Sequence, residues 1–155
     1  MISEYSQQSD ELARLVGDCS ADSLVWKRDE TCWSILEIAG HLADAELLAS
    51  VRIRRIITQD RPRLTGYDQE TWAQALGYRN RKIEEVVPDF LSCDAPMSSC
   101  FGKLTIRAGD AAGHHDEYGE MTLREWVENY VAHTAKHLDQ VRAVGGEYVK
   151  GKGVP

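Results

Sequence analysis

The residues best suited to chemistry are His133 and His137, which lie four positions apart in the segment Thr122 to Val144. Apolar residues recur through this segment at helical spacing, which predicts one amphipathic helix with both histidines at an edge of its apolar face. An i,i+4 pair on a helix directs two imidazoles toward one point, as a metal ion held between helices requires. A polar helix edge or a hydrogen-bonded core pair would show the same spacing, so a metal site needs a third ligand.

His41 is the candidate for that third ligand. Residues 34–59 are predicted to form a second amphipathic helix, which begins at a Ser34–Glu37 capping box, ends before Pro62 and carries His41 at the border of its apolar face. Bundle proteins build metal sites from side chains on facing helices. Three neutral imidazoles suit Zn²⁺, Ni²⁺ or another late divalent metal, and they leave at least one coordination position for water. The alternative is a polar core cluster without metal.

The other elements that must hold these helices are predicted from the same apolar spacing. A first helix covers about Ser3 to Asp18, and a short helix covers Asp68 to Leu76. A third main helix begins near Asn80, and Pro88 is expected to bend it or end it.

The last helix is predicted to begin with a second capping box, Thr122-Leu123-Arg124-Glu125, and to stop at Gly145-Gly146. Long helices without strand alternation predict an all-α bundle. A chain of 155 residues with 43% hydrophobic residues can form one domain with a real core, and it contains no linker or repeat. We therefore predict a single domain over residues 1–145 and a flexible tail over residues 146–155.

Composition and charge exclude several classes of function. The net charge of −7 argues against nucleic acid as a partner, and the Arg-rich stretch 52–63 is interpreted as a solvated helix end and turn. No apolar run approaches the roughly 20 residues that span a bilayer, and the N-terminus lacks a secretory signal. We therefore expect a cytoplasmic protein without a membrane partner. In that compartment the four cysteines, which form no CxxC pair, are expected to be free thiols.

Around the three histidines the chain resembles the DinB/YfiT-like superfamily of metalloenzymes. The matching blocks carry the patterns WS…E…HL and H-x-x-x-H-L-x-Q, and they cover Trp33 to Glu46, Gly119 to Leu123 and His133 to Gln140. The resemblance extends over about residues 1–91 and 113–145. It implies a four-helix bundle, often a homodimer, and it places the three metal ligands of the family on His41, His133 and His137.

The same resemblance implies two kinds of reaction. Characterised members include thiol-dependent S-transferases and isomerases that use a low-molecular-weight thiol, and many others are described as metal-dependent hydrolases. In either case the metal would act as a Lewis acid that lowers the pKa of a water or a thiol. We thus expect a metal-dependent transferase or hydrolase with a small-molecule substrate. The alternative is a non-catalytic, stress-related protein that binds a metal or a small ligand without turnover.

Further site candidates lie near the metal helices. The loop GHHDEYG contains His114 and His115, and His115 matches a position where relatives often carry histidine, which implies a catalytic role in substrate contact or proton transfer; a solvated loop is the alternative. Arg52 shares a seam with His41 and either binds an anionic substrate or, as we favour, pairs with a helix carboxylate. Four aromatic residues could roof a small-molecule pocket, although at helical spacing they are more often core: Trp33, Trp72, Trp126 and Tyr130.

The resemblance fails over Ser92–Ala112, where helical periodicity disappears. This segment contains Pro96, Gly102 and Gly109, which disfavour a helix interior, so the third helix is expected to be shortened or irregular after Leu91. Two explanations are open: a natural loop, or a segment scrambled by two compensating frameshifts. We favour the frameshifts slightly, because the match resumes abruptly at Gly113. Translation of the coding DNA in its other two frames would distinguish them.

Overall fold

Two long helices carry the candidate ligands and pack along each other. In the computed structural model, which describes residues 2–92 and 111–152, they are α3 (Ile35–Thr58) and α6 (Leu123–Gly151). Both begin with complete capping boxes, as predicted: Ser34 accepts from the Glu37 backbone N–H while the Glu37 side chain accepts from Ser34, and Thr122 and Glu125 do the same. Each box satisfies backbone donors that a helix N-terminus otherwise leaves open.

Shorter helices complete the bundle. They are α1 (Ile2–Gly17), α2 (Ala21–Val25), α4 (Gln69–Ala75) and α5 (residues 83–92), with a single 3₁₀ turn at Tyr78–Asn80. The prediction of an all-α, four-helix bundle is confirmed. No described helix is both long enough and apolar enough to cross a membrane.

The apolar core has two parts along α3. One part joins α1, α2 and α5 to α3 and α6, and its fully buried members include Leu12, Ile35, Ile38 and Val86. The second part, at the other end of α3, packs Ile53 and Ile56 against the first turns of α6, and includes Leu123, Trp126 and Tyr130. The candidate ligands, His41 on α3 and His133 and His137 on α6, lie between these two parts of the core.

A small sheet, which the sequence did not predict, closes the second part of the core. Strand β1 (Arg63–Leu64) pairs in parallel with β2 (Ala112–His115), and β2 pairs antiparallel with β3 (Gly119–Thr122). Gly113 permits the close packing, because a Cβ there would lie 2.8 Å from Leu64 Cδ1. Strand β3 leads directly into α6, so this hairpin sits beside the candidate metal helices.

The predicted end of the last helix is wrong, because α6 continues through Gly145-Gly146 to Gly151. Glycine costs a helix interior about 1 kcal/mol relative to alanine. The final turns make tertiary contacts that favour the helix: the Tyr148 ring packs edge-on against Trp26 at 5.9 Å, and Glu147 forms an exposed ion pair with Arg28. The expected flexible tail over residues 146–155 is therefore helical as far as Gly151.

The third main helix also differs in detail from the prediction. Helix α5 begins at residue 83 rather than near Asn80, after the 3₁₀ turn, and it continues through Pro88 to residue 92. Residues 93–110 lie outside the described part of the chain, and with them the expectations for Ser92–Ala112. Cys19 and Cys32 are free thiols, as expected.

Candidate metal centre

Helices α3 and α6 bring His41, His133 and His137 together. One ring nitrogen from each histidine lies within 4.8 Å of the others, and the Nε2 atoms of His41 and His133 are 3.1 Å apart. Helix α3 runs antiparallel to α6, since Ile35 lies beside Gly145 and Arg52 beside Tyr130, and this course places His41 against the i,i+4 pair that the sequence singled out. The structure therefore assembles the predicted triad, and metal binding by it stays a prediction.

The electrostatic environment keeps these imidazoles neutral. Burial lowers the pKa of His41 to about 3, with the neighbouring His137 and His133 adding to the effect. Burial and the nearby His137 likewise lower the pKa of His133 to about 4, and burial lowers that of His137. Neutral imidazole is the form that ligates a metal, so the donor set fits a divalent ion.

Neighbouring side chains orient the rings. The Nδ1 of His137 lies 2.9 Å from Oε1 of Gln140, an acceptor, so Nδ1 carries the proton and Nε2 has the free lone pair. The hydroxyl of Tyr67 is 3.4 Å from Nδ1 of His41. The Trp33 ring stacks on His137 with centroids 6.4 Å apart and an interplanar angle of 17°. Metal-binding histidines commonly have such partners on their second nitrogen.

A cavity of about 540 Å³ opens beside the triad. All three histidines line it, and its volume lies in the range of small-molecule sites. Trp126 and Tyr130 form buried parts of its wall, and their ring centroids are 5.7 Å apart. These two aromatic residues therefore serve as core and as cavity wall, whereas Trp33 packs on the histidine rings and Trp72 packs on Tyr67.

Arg52 points its charge into this region rather than into a solvated helix end. Its side chain is buried, and its guanidinium donates to the Tyr130 hydroxyl at 2.9 Å and to the Thr65 carbonyl at 2.5 Å. The sequence favours a pairing of Arg52 with a helix carboxylate. The acceptors of these two hydrogen bonds are instead a phenol hydroxyl and a backbone carbonyl. Two other arginines of the stretch 52–63 do fit the solvated interpretation: Arg61 pairs with Glu120 and Arg63 with Asp116, all on the surface.

His115 is buried in β2 and lines the same cavity, while His114 faces solvent. Its ring stacks on Tyr118 at 4.9 Å and meets the edge of Trp126 at 5.3 Å. The Glu117 backbone N–H donates to Nδ1 at 3.2 Å, and burial beside Arg52 lowers the pKa of the ring. The neutral ring therefore carries its proton on Nε2 and acts as a donor.

Two partners of the triad were missed by the sequence analysis. Tyr67 lies in the connection between β1 and α4, where no periodic pattern predicts its direction. Gln140 was part of the resemblance, and its three-residue spacing from His137 on a helix was a usable signal for contact.

Comparison with known proteins agrees with this geometry. Residues 4–141 match the family model of the DinB superfamily. Two proteins of Oceanobacillus iheyensis, each named as a candidate metal-dependent hydrolase, are similar in sequence. The first is 24% identical over 148 residues, 93% of this chain and 86% of the relative; the second is 22% identical over 141 residues, 91% and 81%.

The fold has a solved counterpart. YfiT from Bacillus subtilis, described as a probable metal-dependent hydrolase with an unusual four-helix bundle topology, superposes with a TM-score of 0.88. The match covers 95% of this chain and 85% of YfiT at 16% identity, so it supports the fold. Since the family model spans most of the chain and the bundle and histidine triad accompany it, this protein belongs to the DinB superfamily.

Proposed function

We propose that this protein is a metal-dependent hydrolase of a small molecule, with one divalent ion, zinc or nickel, held by His41, His133 and His137. The observation that carries the proposal is the convergence of three neutral imidazoles at the wall of a cavity of small-molecule size, with His41 and His137 buried and His133 half-buried. The names of the two Oceanobacillus relatives support a hydrolase in particular.

A divalent ion bound there would supply Lewis acidity, lowering the pKa of a water or thiol and polarising a carbonyl. The chain supplies the rest of the site. Gln140 fixes the tautomer of His137, Tyr67 contacts His41, and Trp33 covers the triad on one side. His115, predicted as a catalytic residue, fits a substrate contact better than a general base, because its Nδ1 lone pair already accepts a backbone N–H.

Metal content tests the ligand assignment. Protein purified without a histidine tag should carry about one divalent ion per chain in elemental analysis. His137→Ala should lose that stoichiometric metal. It should keep the helical circular-dichroism signal, because the apolar core on both sides of the triad remains. His114→Ala, a change to an exposed histidine in the neighbouring strand, should keep the metal. Unchanged metal content in His137→Ala would overturn the assignment.

Turnover tests the reaction class. The metal-loaded protein should hydrolyse members of a panel of small esters, amides and thioesters, and chelation should abolish the activity until the metal is restored. The panel is run with and without a low-molecular-weight thiol, so that thiol-dependent S-transfer, predicted from the resemblance, is seen separately. Stoichiometric metal without turnover in either screen would favour the non-catalytic binding protein instead.

Two further expectations belong to this proposal. Homodimerisation is implied by the family resemblance, and size-exclusion chromatography with light scattering would test it. A cytoplasmic location is a further expectation, and cell fractionation would test it.

A further inference from the structure

The cavity wall carries a cationic group that the proposed metal centre does not use. Arg52 lines the cavity, and its side chain is only 9% exposed. Within the described part of the chain, the hydrogen bonds of its guanidinium go to neutral acceptors, the Tyr130 hydroxyl and the Thr65 carbonyl. A guanidinium offers five N–H donors, so several remain for a ligand.

Two more N–H groups of this wall lack an acceptor. One is Nε2–H of His115, the proton-bearing nitrogen of that ring, and the other is the indole Nε1–H of Trp126. Both atoms are buried, and among residues 2–92 and 111–152 neither has a hydrogen-bond partner. Buried donors are normally satisfied, so each of these two N–H groups calls for an acceptor.

The three groups lie close together. The Arg52 guanidinium carbon is 5.6 Å from the Trp126 ring centroid, and the Trp126 and His115 rings are 5.3 Å apart. Arg52 is also near enough to His115 to lower its pKa. Three donors, one of them permanently charged, are the chemistry that recognises an anionic oxygen group.

The charge distribution of the cavity agrees with an anion bound in its depth. Its three acidic residues, Asp68, Glu70 and Glu117, are exposed, whereas Arg52 and His115 are buried. Tyr130, which accepts from Arg52, precedes His133 by three residues, about 4.5 Å along α6. An anion held by Arg52 would thus lie near the triad without belonging to it.

We propose that Arg52, with the N–H groups of His115 and Trp126, binds a carboxylate of the substrate. The planar guanidinium matches the geometry of a carboxylate. The substrates are then small molecules that carry a carboxylate close to the scissile bond. This substrate class rests on the proposed hydrolase function, whereas the binding of the carboxylate requires no metal.

The test compares phenylacetate with its neutral isostere phenylacetamide by isothermal titration calorimetry on the full chain. Titrations are made with one equivalent of zinc and repeated after chelation. Wild type should bind phenylacetate at least about tenfold more tightly than phenylacetamide under both conditions. Arg52→Gln should lose this preference, and Arg54→Gln, the same charge change at an exposed position of α3, should keep it.

Trp126→Phe is the second variant, because it keeps a ring in the core and removes the indole N–H. It should reduce the preference by several-fold while circular dichroism stays helical, so a result is available even if Arg52→Gln does not fold. No preference in wild type, or an unchanged preference in Trp126→Phe, overturns the proposal. If Arg52→Gln keeps the preference only when zinc is present, the carboxylate binds the metal instead of Arg52, and the proposal is also overturned. Absence of metal or of hydrolysis would overturn the proposed function alone.

Discussion

A histidine ligates a metal through one ring nitrogen, and the partner of its other nitrogen decides which one is available. In this protein Gln140, one helical turn away, makes this choice for His137, whereas the Tyr67 hydroxyl, which can donate or accept, contacts Nδ1 of His41. Such partners also raise the basicity of a ligand and hold its ring in place. The triad is therefore a set of paired contacts rather than three independent side chains.

Replacement of Gln140 by Leu should weaken metal affinity by about 10- to 100-fold, because His137 would lose the acceptor that orients its ring. Competition with a chromophoric chelator measures the change. Asp139→Asn is the matched control, since Asp139 is the adjacent exposed residue and bonds Arg142 rather than a histidine. Equal affinities of Gln140→Leu and Asp139→Asn would refute a role for Gln140.

At the scale of elements, α6 illustrates how packing outweighs local propensity. The glycine pair at positions 145 and 146 is a stop signal in isolation, yet the helix continues past it to Gly151, where Glu147 and Tyr148 contact Arg28 and Trp26, which follow α2 in the chain. No atom beyond its own helix and neighbours lies within 4 Å of a Cβ added at Gly146. The backbone there is helical, so glycine is required neither by space nor by conformation.

Gly146→Ala should raise the free energy of unfolding by about 0.5–1 kcal/mol, because alanine loses less backbone entropy in a helix. Urea denaturation of the purified protein measures this change. Gly119→Ala is the matched control and should lower the free energy of unfolding instead, since Gly119 has a φ of +73°, which alanine adopts at a cost. Destabilisation by Gly146→Ala would mean that α6 does not extend through this position.

At the scale of the whole molecule, burial of the triad links stability to pH. The folded chain holds His41 and His133 with pKa values of about 3 and 4, whereas the unfolded chain has ordinary histidines near 6.5. Below about pH 6.5 the unfolded state therefore binds more protons than the folded state, and protonation favours unfolding.

The metal-free protein should consequently lose stability as pH falls from about 7 to 4, with His41 alone contributing a loss of up to about 1.4 kcal/mol per pH unit below 6.5. Urea midpoints at a series of pH values measure the slope. His41→Gln should give a shallower slope than wild type, and bound metal should oppose the loss until protons displace it. Stability that is constant between pH 7 and 4.5 would contradict neutral imidazoles in the folded triad.

The sequence by itself determined those features that depend on contacts within one helix. The two capping boxes involve residues three apart, and the apolar faces of α3 and α6 follow a 3.6-residue period, so both helix starts and the edge positions of His41, His133 and His137 were predictable. A short helix was also predicted over Asp68 to Leu76, and the structure has α4 there, at Gln69–Ala75, with Asp68 as its N-cap. The family resemblance rests on these same segments.

Only the tertiary structure decided what residues distant in the chain do to each other. The hydrogen bond from Arg52 to Tyr130 joins positions 78 residues apart. Arg52 belongs to an Arg-rich stretch that the sequence suggests is solvated, yet in the structure it lines the cavity. Pairing of β1 with β2 buries His115, and packing against Trp26 and Arg28 carries α6 beyond its glycine pair. No local pattern encodes these outcomes, because their free energy comes from contacts that exist only once the bundle has formed.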